Sequence, residues 1–308
     1  MTDRPGSVLI IGGGFIGSAL ARRFRKNDVI VHLLAREAAI PHKHFDHMYT
    51  GGLSNIGILN RVLPEVDTVI HAASATTPGV SSRIPSIEAE SNIEPTLRFL
   101  DVLQQFNHVQ LVYLSSGGTV YGNTSDGPVQ ESAEISPLSY YGAGKVAIET
   151  FLQTYNNNHH GGVTILRPSN IYGPGQPYYR GFGVIRTMFK HIREGTAMEI
   201  WGDGSAIRDY LYIDDMVDAC LSIAGTNTSD YNVFNVGSGI GYSLNSLIEH
   251  VETASGATLD KTYRQTRATD VSSIILDSTK IADFSGWQPL VSLEGGLDAT
   301  WKWISANE

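Results

Sequence analysis

Tyr141 and Lys145 are the side chains whose types and spacing first indicate chemistry. They lie four positions apart at the start of a helical pattern, so both fall on one face of the helix. A free phenol has a pKa near ~10, so its half-ionisation at pH 7 costs about 4 kcal/mol. One ammonium group at ~5 Å supplies about 3.3 kcal/mol at an effective dielectric constant of ~20. The pair predicts a tyrosine that acts as general acid and base near neutral pH, although a plain surface pair would share this spacing.

A glycine-rich turn near the N-terminus is the second chemical signal. Gly12, Gly14 and Gly17 form the pattern G-x-G-x-x-G directly after an apolar run. Gly12 suits a tight turn, Gly14 lets backbone approach a pyrophosphate, and Gly17 lets the following helix pack on the strand. The first N–H groups of that helix, around Phe15 and Ile16, attract an anion. The turn therefore predicts dinucleotide binding.

The end of the second strand bears on which dinucleotide is bound. An acid about 20 residues after the glycine turn holds the ribose of NAD, whereas an arginine accommodates the 2′-phosphate of NADP. The sequence here is Leu34-Ala35-Arg36-Glu37, so the acid is absent or displaced to Glu37. Arg36 by itself favours NADP, and a solvated loop arginine is the alternative. The sequence leaves the cofactor as NAD or NADP.

Alternating strands and helices must position these groups. The strand candidates are continuous apolar runs, typical of strands buried on both faces of a parallel sheet. They are Ser7–Ile11, Val29–Leu34, Asp67–Ala73, Val109–Ser115 and Val163–Arg167. Helical patterns lie between them at Phe15–Lys26, Ile93–Phe106 and Lys145–Tyr155. The alternation predicts an α/β fold with a doubly wound parallel sheet.

The second half of the chain has shorter elements and a long loop rich in Gly, Pro, Tyr and Asn. Ser243 and Ser292 are predicted to cap helices there. We predict that residues 1–168 plus 205–236 form a cofactor-binding domain. Residues 169–204 plus 237–308 are predicted to form a smaller, interrupted C-terminal substrate domain.

Composition excludes several classes of function. The 308 residues carry a net charge of −9, which disfavours nucleic acid and anionic membranes as partners. Apolar runs fall far short of the ~20 residues of a membrane span. The lone cysteine, Cys220, excludes an internal disulfide and a thiolate metal site, and His42, His44 and His47 predict a polar loop. No metal is expected, and without a leader pattern the expected location is cytoplasmic.

The order of motifs along the chain resembles the extended short-chain dehydrogenase/reductase family, in its NAD-dependent epimerase/dehydratase branch. The matching segments are Gly12–Gly17, His71-Ala72-Ala73, Asn92, Ser115–Gly122, Tyr141 with Lys145, Arg167–Gly175, Gly202-Asp203-Gly204, Arg208-Asp209-Tyr210, Asp214-Asp215 and Arg267 with Asp270. Single segments are common, but their joint order is specific. The resemblance implies a Rossmann sheet for the cofactor domain.

The resemblance also implies roles for individual residues. Tyr141 would be the acid and base, and Lys145 would bind the nicotinamide ribose. Further cofactor contacts would come from Ala72, Ala73, Asn92, Ser115 and Pro168. The substrate would meet Asn170, its diphosphate would be clamped by Arg208 and Arg267, and Asp270 would lie near the nucleotide ribose. Trp201 is a further candidate to line the nucleotide pocket.

Gly117 is the most important departure from the family pattern, because a catalytic Ser or Thr usually stands there. The hydroxyl that binds the reacting oxygen would then come from Thr119, which we favour slightly, or from Ser116. Gly51-Gly52 also replaces an aspartate that commonly follows the third strand. Dehydratases carry an acid pair after the hydroxyl position, and Gly118-Thr119 supplies none, so dehydration is disfavoured.

The resemblance implies a nucleotide-sugar 4-epimerase, with a UDP-linked hexose and a transient 4-keto intermediate. An NADPH-dependent reductase of 4-keto-deoxysugar nucleotides is the alternative, and a non-catalytic dinucleotide-binding sensor is an alternative of another class. The resemblance further implies a homodimer built from the helices Ile93–Phe106 and Tyr141–Tyr155.

Overall fold

The computed structural model describes residues 5–36, 42–124, 127–178, 183–226, 229–265 and 271–308. Its strands, in chain order, are β1 (Ser7–Ile11), β2 (Ile30–Ala35), β3 (His47–Thr50), β4 (Thr68–His71), β5 (Gln110–Leu114), β6 (Val163–Pro168), β7 (Asn170–Tyr172), β8 (Met198–Trp201), β9 (Ile207–Tyr212), β10 (Tyr231–Val236), β11 (Gly241–Ser243), β12 (Lys261–Arg264) and β13 (Ser273–Ile274). Its helices are α1 (Phe15–Lys26), α2 (Ile56–Val62), α3 (Pro78–Ser81), α4 (Ser86–Glu88), α5 (Glu94–Leu103), α6 (Gly117–Val120), α7 (Tyr140–His159), α8 (Val184–Glu194), α9 (Ile213–Ile223), α10 (Leu244–Ser255), α11 (Thr279–Ser285) and α12 (Leu293–Asn307).

A seven-stranded parallel sheet forms the centre of the molecule. Its strand order is β10-β6-β5-β4-β1-β2-β3, so the winding direction reverses between β1 and β4. Ligands of such sheets bind where the order reverses, outside the carboxyl ends of the strands. The glycine turn follows β1 at this point. The predicted doubly wound α/β fold is therefore confirmed.

Both faces of this sheet are covered by helices, as its continuous apolar strands predict. Successive residues of β1 point to opposite faces. Val8 and Ile10 belong to the core formed with α1 and α9, whereas Leu9 belongs to the core formed with α2, α5 and α7. Phe24 of α1 and Phe99 of α5 are fully buried on the two sides. This double burial fixes the strand ends that carry the site.

Smaller sheets form the second region of the chain. One has the order β11-β9-β13, with β7 also paired to β9, and another pairs β12 with β8. Strand β9 lies in the range predicted for the cofactor domain, yet its pairing partners are all strands of the smaller sheet. The division into a cofactor domain and a substrate domain stays a prediction.

Helix starts were predicted unevenly by the sequence. The hydroxyls of Ser243 and Ser292 accept hydrogen bonds from Ser246 N and Gly295 N, which confirms both caps. Helix α7 begins five residues before the predicted Lys145, behind a further cap at Ser139. A π-helical turn, Ala89–Ile93, joins α4 to α5. Within the described ranges, no helix is long and apolar enough to cross a membrane.

Candidate active site

The glycine turn has the shape that a dinucleotide requires. Gly12 has a φ of +108°, and a Cβ added there would lie 2.9 Å from the Ala73 backbone. A Cβ at Gly17 would lie 1.8 Å from Gly12 O, so α1 packs directly on the turn. A Cβ at Gly14, in contrast, would meet no other described atom within 4 Å. The backbone at Gly14 is thus open to a pyrophosphate at the start of α1, and the residues fit the predicted cofactor.

Asn92 holds the loop that follows β4, next to the glycine turn. Its Oδ1 accepts a hydrogen bond from Ala75 N at 2.9 Å, and its Nδ2 donates to Thr76 Oγ1 at 2.8 Å. The same Nδ2 donates to Glu88 Oε2 at 2.8 Å. The π-helical turn places Asn92 for these bonds, in keeping with the frequent occurrence of such turns at functional sites. Asn92 therefore fixes the loop after β4 that borders the site.

The remaining predicted cofactor residues lie at the ends of neighbouring strands. Ala72 follows β4, Ser115 follows β5 and Pro168 ends β6. Arg36 follows β2 directly and is exposed. Because the carboxyl ends of parallel strands meet at one edge of the sheet, these residues face the same region as the glycine turn. Their contacts with a cofactor stay predictions.

Tyr141 and Lys145 lie in the first two turns of α7, as their spacing predicts. Lys145 is buried, and its Nζ donates to Leu114 O at 2.8 Å at the end of β5. This Nζ lies 5.7 Å from the ring centre of Tyr141 and 4.8 Å from that of Tyr113. The side chains of Ser74 and Ser116 lie near the Tyr141 hydroxyl and lower its pKa. The Tyr141 side chain thus lies beside the carboxyl ends of the central strands.

Burial controls the ionisation of this pair. Burial, followed by the negative charge of Glu88, raises the pKa of Tyr141 to about 12, while the hydrogen bonds from Ser74 and Ser116 act in the opposite direction. Burial lowers the pKa of Lys145 to about 8, against the opposing charges of Glu88 and Glu149. The ammonium alone therefore does not bring the phenol to half-ionisation at neutral pH, because desolvation outweighs it.

Gly117 has no room for the hydroxyl-bearing side chain that the family usually places there. A Cβ at this position would lie 2.5 Å from Leu276 Cδ1 and 2.8 Å from Arg167 O. Ser116, the preceding residue, lies near the Tyr141 hydroxyl and lowers its pKa, whereas Thr119 Oγ1 donates to Ser116 O at 3.3 Å. The structure brings Ser116, and not the slightly favoured Thr119, to the tyrosine.

The predicted substrate residues lie around the carboxyl ends of the central strands. Asn170 Nδ2 donates to Asp209 O at 2.9 Å, and the Asn170 amide lies within 4 Å of a Cβ added at Gly118. Arg208 donates to the carbonyl oxygens of Ile207 and Val271. Trp201 is 41% exposed at the end of β8. Arg267 and Asp270 lie outside the described residues, so the predicted diphosphate clamp stays a prediction.

Three buried acids organise the site but escaped the sequence analysis. Glu149 forms an ion pair with Arg167 at 2.6 Å and accepts a hydrogen bond from Ser115. Asp209 accepts hydrogen bonds from Ser238 N and Gly239 N, and from Leu276 N at 3.3 Å. Glu88 is the third. Glu149 had a signal in the sequence, because it lies four residues after Lys145 on the same helical face, and Asp209 stands in the matching segment Arg208-Asp209-Tyr210, whereas Glu88 had none.

Comparison with known proteins agrees with the family that the motifs resemble. Residues 8–237 match the sequence model of the NAD-dependent epimerase/dehydratase family. The UDP-glucose 4-epimerase of Mycolicibacterium smegmatis is 34% identical over 244 residues, which cover 79% of this chain and 77% of that protein. The dTDP-4-dehydro-6-deoxyglucose reductase of Escherichia coli is 30% identical over 310 residues, 97% of each chain.

Solved structures agree with these sequence matches. The UDP-glucose 4-epimerase of Thermotoga maritima, determined with UDP-glucose, is 30% identical and superimposes with a TM-score of 0.89 over 97% of this chain and 99% of that one. The predicted resemblance is borne out, and the name of the family agrees with the predicted nicotinamide cofactor, NAD or NADP. The chain belongs to the NAD-dependent epimerase/dehydratase family.

Proposed function

We propose that the protein is a NAD-dependent nucleotide-sugar 4-epimerase that acts on a UDP-linked hexose, with Tyr141 as acid and base. The observation that carries this proposal is the pairing of Tyr141 with Ser116 at the mouth of the strand ends, beside the open backbone at Gly14. The relatives from M. smegmatis and T. maritima, both UDP-glucose 4-epimerases, support it. The substrate class is taken from their names.

In this proposal the residues of the chain move one proton and hold one oxygen. When bound, the cofactor supplies a hydride acceptor that also returns the hydride. Tyr141 takes the proton from the sugar 4-hydroxyl, and Ser116 donates a hydrogen bond to the same oxygen. Tyr141 returns the proton once the 4-keto sugar has presented its other face. The configuration at C4 inverts and no cofactor is consumed.

Lys145 makes Tyr141 a usable base once the site is filled. Its ammonium lies behind the phenol, where it favours the phenolate over the neutral form. The positive charge of an oxidised nicotinamide ring would act in the same direction. Burial and the negative charge of Glu88 raise the pKa of Tyr141 to about 12, so the tyrosine stays protonated until the charge of the nicotinamide ring joins that of Lys145.

Product analysis with a panel of UDP-, dTDP-, GDP- and CDP-sugars tests the proposal. We expect NMR to show interconversion of two sugars that differ only at C4, without net consumption of NAD. Tyr141→Phe should abolish this conversion while the protein still binds NAD. A full rate of conversion in Tyr141→Phe would remove Tyr141 from its role.

A reductase of 4-keto-deoxysugar nucleotides is the second candidate. The E. coli relative of that activity aligns along 97% of this chain, and Arg36 in place of the strand-end acid suits a 2′-phosphate. The two candidates differ in stoichiometry. A reductase consumes one reduced cofactor for each sugar converted, which absorbance measurements with a dTDP-4-keto sugar would detect.

We also infer a homodimer, as predicted from the sequence, through the outer faces of α5 and α7. Phe151 on α7 is 42% exposed and Tyr140 is 55% exposed, which leaves apolar area for a partner helix. Sedimentation at micromolar concentration tests this, and a sedimenting monomer would contradict it. The cytoplasmic location stays a prediction.

A further inference from the structure

We propose that Glu88 is a positioning residue of this site: its buried carboxylate joins the loop carrying Ser74 to the helix carrying Tyr141 and Lys145, and places a fixed negative charge behind both. The proposal rests on the proposed function for its kinetic consequence. Its structural part rests on the contacts of Glu88 with Ser81, Asn92 and Gly144.

The carboxylate of Glu88 is buried and has a partner on each oxygen. Only 6% of the residue is exposed. Oε1 accepts a hydrogen bond from Ser81 Oγ at 2.5 Å, and Oε2 accepts one from Asn92 Nδ2 at 2.8 Å. A buried carboxylate is stable only with such partners. Glu88 is therefore held in one position.

Glu88 also touches the helix of the candidate acid and base. A Cβ added at Gly144 would lie 2.8 Å from Glu88 Oε2 and 3.4 Å from Glu88 Cβ. Gly144 stands between Tyr141 and Lys145 in sequence, so the carboxylate rests on the helical turn that joins them. A side chain at position 144 would push the Glu88 carboxylate away from this turn of α7.

The loop after β4 completes the arrangement. Asn92, which donates to Glu88, also accepts from Ala75 N and donates to Thr76. Ser74, next in the chain to Ala75, lies near the Tyr141 hydroxyl and lowers its pKa. Glu88 is thus linked to Tyr141 by two routes. One is its contact with Gly144 on α7, the helix of Tyr141, and the other runs through Asn92 and the loop that carries Ser74.

The charge of Glu88 acts on both members of the pair. It raises the pKa of Tyr141, where the hydrogen bonds of Ser74 and Ser116 oppose it, and it raises the pKa of Lys145 together with Glu149 on α7. Two further groups face the pair. Tyr113 on β5 lies beside Lys145 with a pKa raised by burial, and burial followed by Lys145 lowers the pKa of His71 on β4 to about 3. Both are neutral at working pH.

Glu88→Gln tests the role of this charge. A glutamine can donate to Ser81 and accept from Asn92, so the contacts survive while the charge is lost. Because a negative charge raises both pKa values, its removal should lower both apparent pKa values of the kcat/KM profile by about one pH unit. Glu88→Asp, which keeps the charge, should retain the wild-type pKa values. Glu90→Gln, at an exposed position two residues away, is the matched control.

Direct titration gives a readout that needs no turnover. The tyrosinate absorbance of the wild type minus that of Tyr141→Phe, measured with NAD bound, reports the pKa of Tyr141. The same difference in the Glu88→Gln background should lie about one pH unit lower. If no sugar reacts, this titration still tests Glu88 and separates its failure from failure of the proposed function.

A folded Glu88→Gln protein with unchanged profile and titration would overturn the proposal. If this variant does not fold, Gly144→Ala takes its place, because the added methyl group forces the carboxylate away from α7. It should shift the Tyr141 titration in the same direction. An unchanged titration in Gly144→Ala would equally overturn the proposal.

Discussion

The side chain of Leu276 occupies the space that a side chain at position 117 would need. A Cβ at Gly117 would lie 2.5 Å from Leu276 Cδ1 and 3.1 Å from Leu276 Cδ2, with Arg167 O at 2.8 Å on another side. The loss of the family hydroxyl at 117 and the leucine that fills its place are thus one feature of the packing.

Gly117→Ser should therefore lower stability instead of improving catalysis. Overpacking of this kind costs about 1–3 kcal/mol, and the rigid carbonyl of Arg167 leaves little room for relaxation. Urea unfolding measures the loss. Adding Leu276→Ala to Gly117→Ser should recover part of it. A Gly117→Ser protein with native stability and a higher kcat would contradict this account.

Ser116→Ala should reduce kcat far more than Thr119→Ala. Ser116 lies near the Tyr141 hydroxyl, whereas Thr119 donates to a backbone carbonyl. Loss of one hydrogen-bond donor to a reacting oxygen costs about 10²-fold in kcat. Steady-state kinetics of the two variants with the same UDP-sugar make the comparison. A larger loss in Thr119→Ala would assign the hydroxyl to Thr119, and equal losses would contradict its assignment to Ser116.

Lys145 should make stability depend on pH in a defined window. Its folded pKa of about 8 lies below the usual 10.5, so between these values the unfolded chain binds more protons than the folded one. The free energy of unfolding should gain a contribution that rises with pH from about 8 to 10, and that is smallest below pH 8. Lys145→Met lacks this contribution. Urea titrations at several pH values, compared between the two proteins, show it as a difference in slope, and parallel curves would argue against a depressed pKa.

The glycine turn separates cofactor binding from folding. Gly14→Ala should fold with a stability within about 0.5 kcal/mol of the wild type, because its methyl group meets no described atom. It should nevertheless weaken NAD binding, measured by calorimetry, by filling the space left for the pyrophosphate. Gly17→Ala should destabilise the protein outright through its clash with Gly12 O. Unchanged NAD affinity in Gly14→Ala would place the pyrophosphate elsewhere.

The buried sheet was predictable because its strands are long apolar runs, and each of β1, β2, β4, β5 and β6 lies where such a run was found. Strand β3 was not predictable, because His47 and Thr50 interrupt its apolar pattern at the sheet edge. The pairing of β9 with β7 and β13 was not predictable for a different reason. Pairing between such distant segments has no local pattern.

The site was predictable only in part, for related reasons. Tyr141, Lys145 and the three glycines carry a spacing that local geometry dictates. Asp209 is a single acid whose backbone partners lie far along the chain, and Glu88 contacts the distant Gly144 although its hydrogen-bond partners Ser81 and Asn92 are near in sequence. The lack of room for a side chain at position 117 depends on where Leu276 packs, and no spacing rule connects residues 117 and 276.

The carboxylate of Asp209 on β9 accepts hydrogen bonds from the backbone of two distant stretches, Ser238-Gly239 and Leu276. Engineers who wish to transplant sugar preference from a relative must therefore move these stretches as a single block. A graft of only one of them would leave the Asp209 carboxylate facing backbone amides that do not match it. It would also lose the packing of Leu276 against position 117.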